Sequence, residues 1–461
     1  MENRTRRSLI EWGKNVLIVL LALSALYLLG RTQLYADGAA NGWHLLSGLK
    51  SVFTGEESIS PSQILGDWSQ GTLPRPVRMV VLTPQGSTGI QYDNATLDSL
   101  FLEFTNPLAD ALASAGVPAP VSEEAFRAAL SAQRPGIYLD FLGRVPLANL
   151  TAWLSGGRAV NSNFTQSIRR MLLTLEKDGR VLLYFIDENT GGCYVSEISS
   201  DLAQRLERFV EGISPNGAAF AFQSGEAYTS LAPYTLLEGG VPPRPGRFSV
   251  SNPVPITDDS GDSYGDTFSS LVRSLSFQPQ SMSYRNRDGV TIQEGSEKLR
   301  LTNTGQVTYE AADLSDPRFP LPGLSHNPTE WELVGSAWAF VERVFQTGGG
   351  TSLCGDARLY IQGMEETDTG VAVLIGYQLD GAAVVVGQLG CAARIEISDG
   401  AITGFQLQLR KYTYVQQGPQ VLPELQATAA LDAQDAQGSE LMLYYYDDLR
   451  GDEITADWGA F

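Results

Sequence analysis

Trp331-Glu-Leu-Val-Gly-Ser-Ala-Trp-Ala-Phe-Val-Glu-Arg-Val-Phe345 is the stretch that decides the fold class. Its apolar residues recur at helical spacing and cover much of the circumference, so we predict a helix over residues 327–347 that lies across a sheet. The sheet follows in sequence, because Asp380-Gly381 and Asp399-Gly400 are turn dipeptides that accept positive φ. They separate apolar runs that predict strands near 357–362, 370–379, 381–387, 391–398 and 401–411. A long helix on an antiparallel sheet is an α+β arrangement.

The chain on the N-terminal side of this helix also mixes helices and strands. Residues 169–175 and 180–186 flank Asp178-Gly179 and predict a β-hairpin. The apolar face of residues 94–115 predicts a helix that Pro107 kinks or splits, because proline has no backbone N–H to donate. Three further short strands are predicted near 281–286, 290–301 and 306–311. We therefore predict an α+β fold of antiparallel sheets with packed helices.

One uncharged apolar run, Asn15 to Gly30, lies near the N-terminus. At about 1.5 Å per residue it makes roughly 24 Å of helix, slightly less than the ~30 Å hydrocarbon core of a bilayer. Trp12 and Tyr27 can occupy the two interfaces. Basic residues precede the run, and this bias keeps the N-terminus in the cytoplasm. We predict a single-pass protein of the cell membrane with the bulk of the chain extracellular.

A cleaved signal peptide is the alternative, since it shares the basic start and apolar middle. Leu34-Tyr35-Ala36 offers only one of the two small residues that a cleavage site needs. Arg31 also follows the apolar run directly, as in a stop-transfer flank. We therefore predict an uncleaved transmembrane helix.

Changes in composition divide the chain further, and Gly239-Gly-Val-Pro-Pro-Arg-Pro-Gly246 has the composition of a linker. The predicted segments are a cytoplasmic N-terminus (1–14), a transmembrane helix (15–30), a membrane-proximal connector (31–75), an N-terminal α+β domain (76–245), a helix-plus-β-meander domain (246–325) and a C-terminal helix-on-antiparallel-sheet domain (326–461).

Charge and cysteine content restrict the partners and the covalent chemistry. The formal net charge is −20, and such a surface repels phosphate backbones, so we predict no nucleic-acid partner. The three cysteines are too few and too scattered for a disulfide framework. Cys354 and Cys391 either pair with each other or remain buried free thiols. Cys193 lies on a tight Gly-Gly-Cys-Tyr stretch without a histidine partner, so a catalytic role is not predicted.

Catalytic and metal-binding patterns are also missing from the sequence. Only His44 and His326 are present, which removes most Ser-His-Asp, Cys-His and His-metal arrangements. The acidic run from Asp258 to Asp266 lacks the ordered spacing of a Ca²⁺ loop and is interpreted as a solvated linker. Paired carboxylates such as Asp187-Glu188 or Asp447-Asp448 leave an envelope hydrolase or carbohydrate-binding protein open. We predict no enzyme activity, no catalytic or metal-binding residues and no cofactor.

Three stretches resemble the YycH family, the extracytoplasmic regulators of the WalK–WalR two-component system of low-GC Gram-positive bacteria. The first runs from Pro76-Val-Arg-Met-Val-Val-Leu82 through Gly136-Ile-Tyr-Leu-Asp-Phe141 to Val145-Pro146-Leu147. The second is a helix containing Phe268-Ser-Ser-Leu271, followed by a meander with Tyr284-Arg-Asn-Arg-Asp-Gly289 and Leu299 to Tyr309. Residues 331–461 resemble the last domain that the family shares with its sister family YycI, with its two Asp-Gly turns.

This resemblance implies a non-enzymatic protein that modulates a cell-wall-sensing histidine kinase through its transmembrane helix and ectodomain. It also implies a YycI-like sister protein as a second partner. Small residues let transmembrane helices approach each other closely, so Ala22, Ser24 and Ala25 are the predicted partner-binding residues of the transmembrane helix. An inhibitory or chaperone-like partner of an envelope enzyme is a third possibility, because residues 327–411 also look similar to helix-on-sheet units of the PepSY type.

Overall fold

A computed structural model describes residues 74–157, 160–199, 202–240, 242–257, 264–347, 352–433 and 436–461. Within these ranges no helix is both long enough and apolar enough to cross a membrane. The predicted transmembrane helix, residues 15–30, lies outside the described residues. The predicted domain boundaries stay predictions.

The N-terminal part of the described chain forms a seven-stranded antiparallel sheet. Its strands are β1 Arg78–Thr83, β2 Gly86–Gln91, β3 Ala119–Val121, β4 Gly136–Pro146, β5 Ser167–Leu175, β6 Val181–Asp187 and β7 Cys193–Ile198, in the order β2-β1-β4-β5-β6-β7-β3. Every residue of β1 is buried, as its continuous apolar run requires of an interior strand. The predicted hairpin is confirmed between β5 and β6, with Gly179 at a φ of 86°.

Four helices belong to this part of the chain, namely α1 Asn94–Ser114, α2 Glu123–Leu130, α3 Leu147–Leu154 and α4 Ala203–Val210. Of the two predicted effects of Pro107, the split is wrong, because α1 continues through this residue. Phe101 and Phe104 before the proline and Leu108 and Leu112 after it are all buried on the same side. Packing of this face outweighs the roughly 3 kcal/mol that an interior proline costs.

The remaining elements include two small sheets and one large sheet. They are β8 Ala219–Phe220, β9 Leu236–Leu237, β10 Gly246–Ser251, α5 Asp266–Ser274, β11 Met282–Arg285, β12 Gly289–Glu294, β13 Glu297–Thr302, β14 Gln306–Glu310, β15 Phe319–Pro320, α6 Glu330–Phe345, β16 Arg358–Glu366, β17 Val371–Leu379, β18 Ala382–Val386, β19 Ala393–Ser398, β20 Ala401–Gln408, β21 Lys411–Gln417, α7 Glu424–Asp432, β22 Leu441–Asp447, β23 Glu453–Ile454 and β24 Ala456–Ala460. The described residues place twelve strands in the large sheet, whose main path is β11-β12-β13-β14-β20-β19-β17-β18-β22-β24.

The meander differs from the prediction in one turn. The run predicted as a single strand over 290–301 is two strands, β12 and β13, joined at Gly295-Ser296. Gly295 has a φ of 62°, which suits the tight hairpin turn. The Asp-Gly turns of the large sheet are confirmed, because Asp380 and Asp399 have φ values of 50° and 49°.

Helix α6 crosses the large sheet, as predicted, and begins at a capping box. The Thr329 backbone N–H donates to Oε2 of Glu332 over 2.7 Å. The other side of α6 meets α3, every residue of which is buried. Nδ2 of Asn149 donates to the Trp331 carbonyl over 3.0 Å, and the rings of Trp153 and Trp338 lie 5.8 Å apart. The hydrophobic core therefore runs without interruption from the seven-stranded sheet to the large sheet. The predicted α+β class, with antiparallel sheets and packed helices, is confirmed.

Candidate functional site

The partner-binding residues predicted from the sequence, Ala22, Ser24 and Ala25, lie outside the described residues. Within the described part of the chain, the outstanding polar feature is a group of five charged side chains, of which three are buried and two are half-buried. We call it the junction cluster, and it consists of Arg78, Asp140, Arg169, Arg170 and Glu440. The first four lie on β1, β4 and β5 of the seven-stranded sheet, and Glu440 directly precedes β22 of the large sheet. The cluster therefore joins the two sheets.

An irregular segment of β4 positions Asp140 in the cluster. The register of β4 against β5 shifts between Asp140 and Val145, and Leu142 has a φ of 68°. The Leu142 backbone N–H donates to Oδ1 of Asp140 over 2.8 Å. Position 143 requires glycine, because the backbone of β16 comes very close to it. A Cβ at Gly143 would lie 1.8 Å from the Ile361 carbonyl oxygen.

Asp140 accepts hydrogen bonds from two arginines. Nη1 of Arg78 donates to Oδ2 over 2.9 Å, and Arg169 donates through Nε to Oδ1 over 2.9 Å and through Nη2 to Oδ2 over 3.1 Å. The bidentate contact fixes the guanidinium plane of Arg169. Asp140 is only 1 % exposed, so these donors replace the water that its carboxylate would otherwise bind.

Glu440 carries the contact across to the large sheet. Its carboxylate accepts from Nη1 of Arg78 over 2.8 Å, from Nη2 of Arg169 over 3.0 Å and from Nη2 of Arg170 over 2.5 Å. The Glu440 backbone exchanges two hydrogen bonds with Phe461, which holds this residue in line with β22 and β24. One side chain from the large sheet thus engages three arginines of the seven-stranded sheet.

The electrostatics of the cluster favour a permanently charged joint. Burial alone would raise the pKa of Asp140, but Arg169, Arg78 and Arg170 outweigh it and hold that pKa well below its usual range. Burial likewise opposes ionisation of Glu440, and Arg169, Arg170 and Arg78 lower its pKa below the usual value. Neither carboxylate is therefore suited to donate a proton near neutral pH. The arrangement can fix the relative position of the two sheets, and it offers no acid or base chemistry.

A second polar contact joins the edge of the seven-stranded sheet to α7. The Gln91 backbone N–H at the end of β2 donates to Oε1 of Glu238 over 3.1 Å. The backbone N–H groups of Glu238 and Gly239 donate to the carboxylate of Glu424, the first residue of α7, over 3.2 and 3.3 Å. Burial raises the pKa of Glu238 to about 7, and Glu424 and Asp93 add to the increase.

Two of the carboxylates that the sequence offered for hydrolysis, Asp447 and Asp187, are engaged by hydrogen bonds within the fold. Asp447 is buried, and it accepts a bidentate contact from Arg410 and a hydrogen bond from the Tyr412 hydroxyl. Asp187 is buried and accepts from the Ser167 and Asn189 backbone N–H groups. In the described ranges no group of three or more His, Cys, Asp and Glu side chains could hold a metal ion.

The cysteines are free thiols, which is the second of the two alternatives that the sequence left open for Cys354 and Cys391. Cys193, Cys354 and Cys391 are all buried free thiols, so Cys354 and Cys391 do not form a disulfide. Burial raises the pKa of both of these thiols to about 12, which keeps them protonated and unreactive.

Sequence reasoning assigned no role to the five residues of the junction cluster. The available signal was a charged residue inside an apolar strand run, as with Asp140 within Ile137–Phe141. That pattern indicates a buried ion pair but does not name its partner. Arg78 and Glu440 are 362 positions apart in the chain, so only the tertiary structure brings them together.

Comparisons with known proteins identify the fold. No family model matches the chain, and no curated protein matches its sequence. The crystal structure of YycH from Bacillus subtilis is similar over 83% of this chain and 93% of that chain, with a TM-score of 0.52 and 12% sequence identity. A dehydratase domain of MlnD from Bacillus amyloliquefaciens gives a TM-score of 0.12 at 11% identity and supports no inference. The chain therefore has the fold of YycH, and the resemblance predicted from the sequence is confirmed at the level of the fold.

Proposed function

We propose that this chain is a membrane-anchored extracytoplasmic regulator that modulates a sensor histidine kinase of a two-component system. The YycH fold over 83% of the chain is the observation that carries the proposal. The sequence resemblance to the same family, made on turn and strand motifs, points in the same direction. The junction cluster supports the proposal in a second way, because it fixes the position of the seven-stranded sheet relative to the large sheet. A regulator without catalytic chemistry acts through such relative positions.

The transmembrane helix makes the contact with kinase helices in this mechanism, through the small residues Ala22, Ser24 and Ala25. The ectodomain then biases the kinase between its conformations by contacting them unequally, alone or with a YycI-like partner. The junction cluster keeps the two sheets of the ectodomain in one arrangement, so that a displacement of one sheet moves the other with it.

Co-reconstitution tests the proposal. The full chain and the sensor kinase of the same organism are placed in proteoliposomes, and autophosphorylation of the kinase is measured with and without the chain. A change in rate of either sign is expected. An unchanged rate while the two proteins co-purify would overturn the regulatory role.

Variants of the transmembrane helix test the contact itself. Ala22→Leu and Ser24→Leu place bulk where close approach is proposed, and we expect weaker co-purification with the kinase. Leu23→Phe is the matched control, because it changes a residue that is already large. Equal recovery of the kinase with all three variants would exclude this contact face.

A further inference from the structure

A cavity of about 300 Å³ lies between one face of α6 and residues 318–323. The α6 side is a single stripe at helical spacing, formed by Ser336, Ala339, Phe340 and Arg343. Apolar side chains supply much of the remaining lining, namely Phe319, Pro320, Leu321, Pro322 and Ile402. The volume is at the lower end of the roughly 300–1,000 Å³ typical of small-molecule sites.

The floor of the cavity is aromatic. Phe319 and Phe340 are both buried, and their rings lie 5.6 Å apart in an edge-to-face arrangement. Both rings also contact Phe405 of β20, which ties the floor to the large sheet. Burial of apolar surface is worth about 25 cal/mol per Å², so this floor favours an apolar group of a ligand.

The charge of the lining is positive although the chain as a whole is acidic. The chain has 52 Asp and Glu residues, yet none of them is among the described residues that line this cavity. Arg318 lines the cavity, but its guanidinium is already engaged. Nη1 of Arg318 donates to the Ser276 carbonyl over 2.6 Å and to Oε2 of Glu294 over 2.9 Å. We therefore assign no ligand contact to Arg318.

Arg343 is the available positive charge at the rim of the cavity. Its side chain is exposed and makes no hydrogen bond or ion pair with the other described residues. The guanidinium carbon lies 5.5 Å from the centre of the Phe340 ring. Partial burial lowers the pKa of Arg343, and no acidic group opposes this shift. A guanidinium without a carboxylate at the mouth of an apolar cavity is suited to bind an anion.

Ser336 offers a second polar group to the same space. Its side chain is buried, and its hydroxyl makes no hydrogen bond with any described residue. Ser336 lies two helical turns before Arg343, about 10 Å along the helix axis. Long side chains in a helix point back toward its N-terminus, which brings the guanidinium closer to this hydroxyl.

We propose that this cavity binds a small organic carboxylate with an apolar body. The carboxylate faces Arg343, the apolar body lies against Phe319 and Phe340, and a second acceptor of the ligand faces Ser336. A free aliphatic or aryl acid and the C-terminus of a peptide both present a carboxylate on an apolar group. The peptide end also carries an amide carbonyl as the second acceptor. This site goes beyond the proposed function and stands independently of it, because binding is measured without the kinase.

Isothermal titration calorimetry of the full chain in detergent tests the ligand class, with titration into detergent alone as the blank. Hexanoate and 3-phenylpropionate represent free acids, and N-acetylleucine and N-acetylphenylalanine represent peptide ends. We expect saturable binding below about 1 mM by at least one of the four, and the class that binds more tightly identifies the source. The primary amide of that probe should bind about tenfold more weakly, because it loses the charge-assisted contact. Absence of binding by all four acids, or equal binding by the amide, overturns the proposal.

Variants of the α6 stripe place the ligand in this cavity. Arg343→Met removes the guanidinium but keeps an apolar stem, and we expect about tenfold weaker binding. Arg208→Met is the matched control, because Arg208 is also an exposed arginine in the last turn of a helix, α4, and binding should not change. Ala339→Leu fills the cavity and should abolish saturable binding, and thermal unfolding of each variant verifies its fold. Binding that is the same in Arg343→Met, Ala339→Leu and the unmodified chain places the ligand elsewhere and overturns the proposal.

Ser336→Ala tests the second contact. It should weaken binding of an N-acetylated probe about fivefold, because one hydrogen bond is lost, and leave binding of a free acid unchanged. Equal binding of the N-acetylated probe by this variant and the unmodified chain excludes the contact with Ser336.

Discussion

Replacing Glu440 by Gln should destabilise the folded chain through the junction cluster. The three guanidinium groups of the cluster face Asp140 and Glu440, and Glu188 lies 4.0 Å from Nη1 of Arg170, so these six side chains together are formally neutral. The substitution keeps the size of the side chain but leaves this group with a formal charge of +1. Breaking a buried ion network by removing one partner costs about 3–5 kcal/mol, because the remaining charges stay desolvated without compensation.

The expected change in melting temperature follows from the size of the folded part. An unfolding entropy of about 2.1 cal/mol/K per residue, over roughly 390 residues, gives about 0.8 kcal/mol per degree. We therefore expect Glu440→Gln to lower the melting temperature by about 4–6 °C. Differential scanning calorimetry at neutral pH measures this shift, and far-UV circular dichroism verifies the native fold before heating.

A matched control separates the buried cluster from any surface ion pair. Glu453 pairs with Arg247 over 3.4 Å, and its side chain is 48 % exposed. Solvent screens this contact, so Glu453→Gln should cost less than about 1 kcal/mol and shift the melting temperature by about one degree or less.

A double variant then tests whether charge is the cause. Glu440→Gln combined with Arg170→Gln returns the group to formal neutrality, and we expect it to recover part of the lost stability. The reasoning is refuted if Glu440→Gln melts like Glu453→Gln, or if adding Arg170→Gln lowers the melting temperature further.

Three further predictions use other parts of the fold. The pKa of Glu238 is raised to about 7 in the folded chain, so the folded state binds a proton that the unfolded state releases near its pKa of about 4.5. The free energy of unfolding that this pKa difference contributes is fully present below about pH 4.5 and is lost as pH rises through 7. Melting temperatures from pH 5 to 8 should therefore fall more steeply in the unmodified chain than in Glu238→Gln, and parallel profiles would contradict this. Gly143→Ala puts a Cβ against a carbonyl oxygen of β16 and should cost about 1–3 kcal/mol. Gly363→Ala, with nothing within 4 Å of its added Cβ, should cost less than about 0.5 kcal/mol by denaturant titration, and equal costs would exclude the clash. Cys354 and Cys391 should resist iodoacetamide at pH 8 in the folded chain and react after unfolding without reductant, whereas protection that survives unfolding would indicate a disulfide.

Local signals in the sequence were sufficient for much of the α+β architecture. Asp380-Gly381 and Asp399-Gly400 adopt the positive φ values that their chemistry favours, because a two-residue hairpin turn depends on the residues inside it. Helix α6 follows from its apolar period and from Thr329 and Glu332 at its start. Gly295-Ser296 was missed as a turn, although the same local chemistry operates there.

Tertiary structure decided the features in which distant residues compensate each other. Pro107 remains inside a continuous helix because packing of its apolar face outweighs a local penalty. Asp140 finds its partners on β1, on β5 and, through the shared arginines, at Glu440. The sequence alone determines the conformational preferences of short segments, since these depend on neighbouring residues. The choice of partner for a buried charge depends on three-dimensional proximity and desolvation, and the folded chain alone decides it.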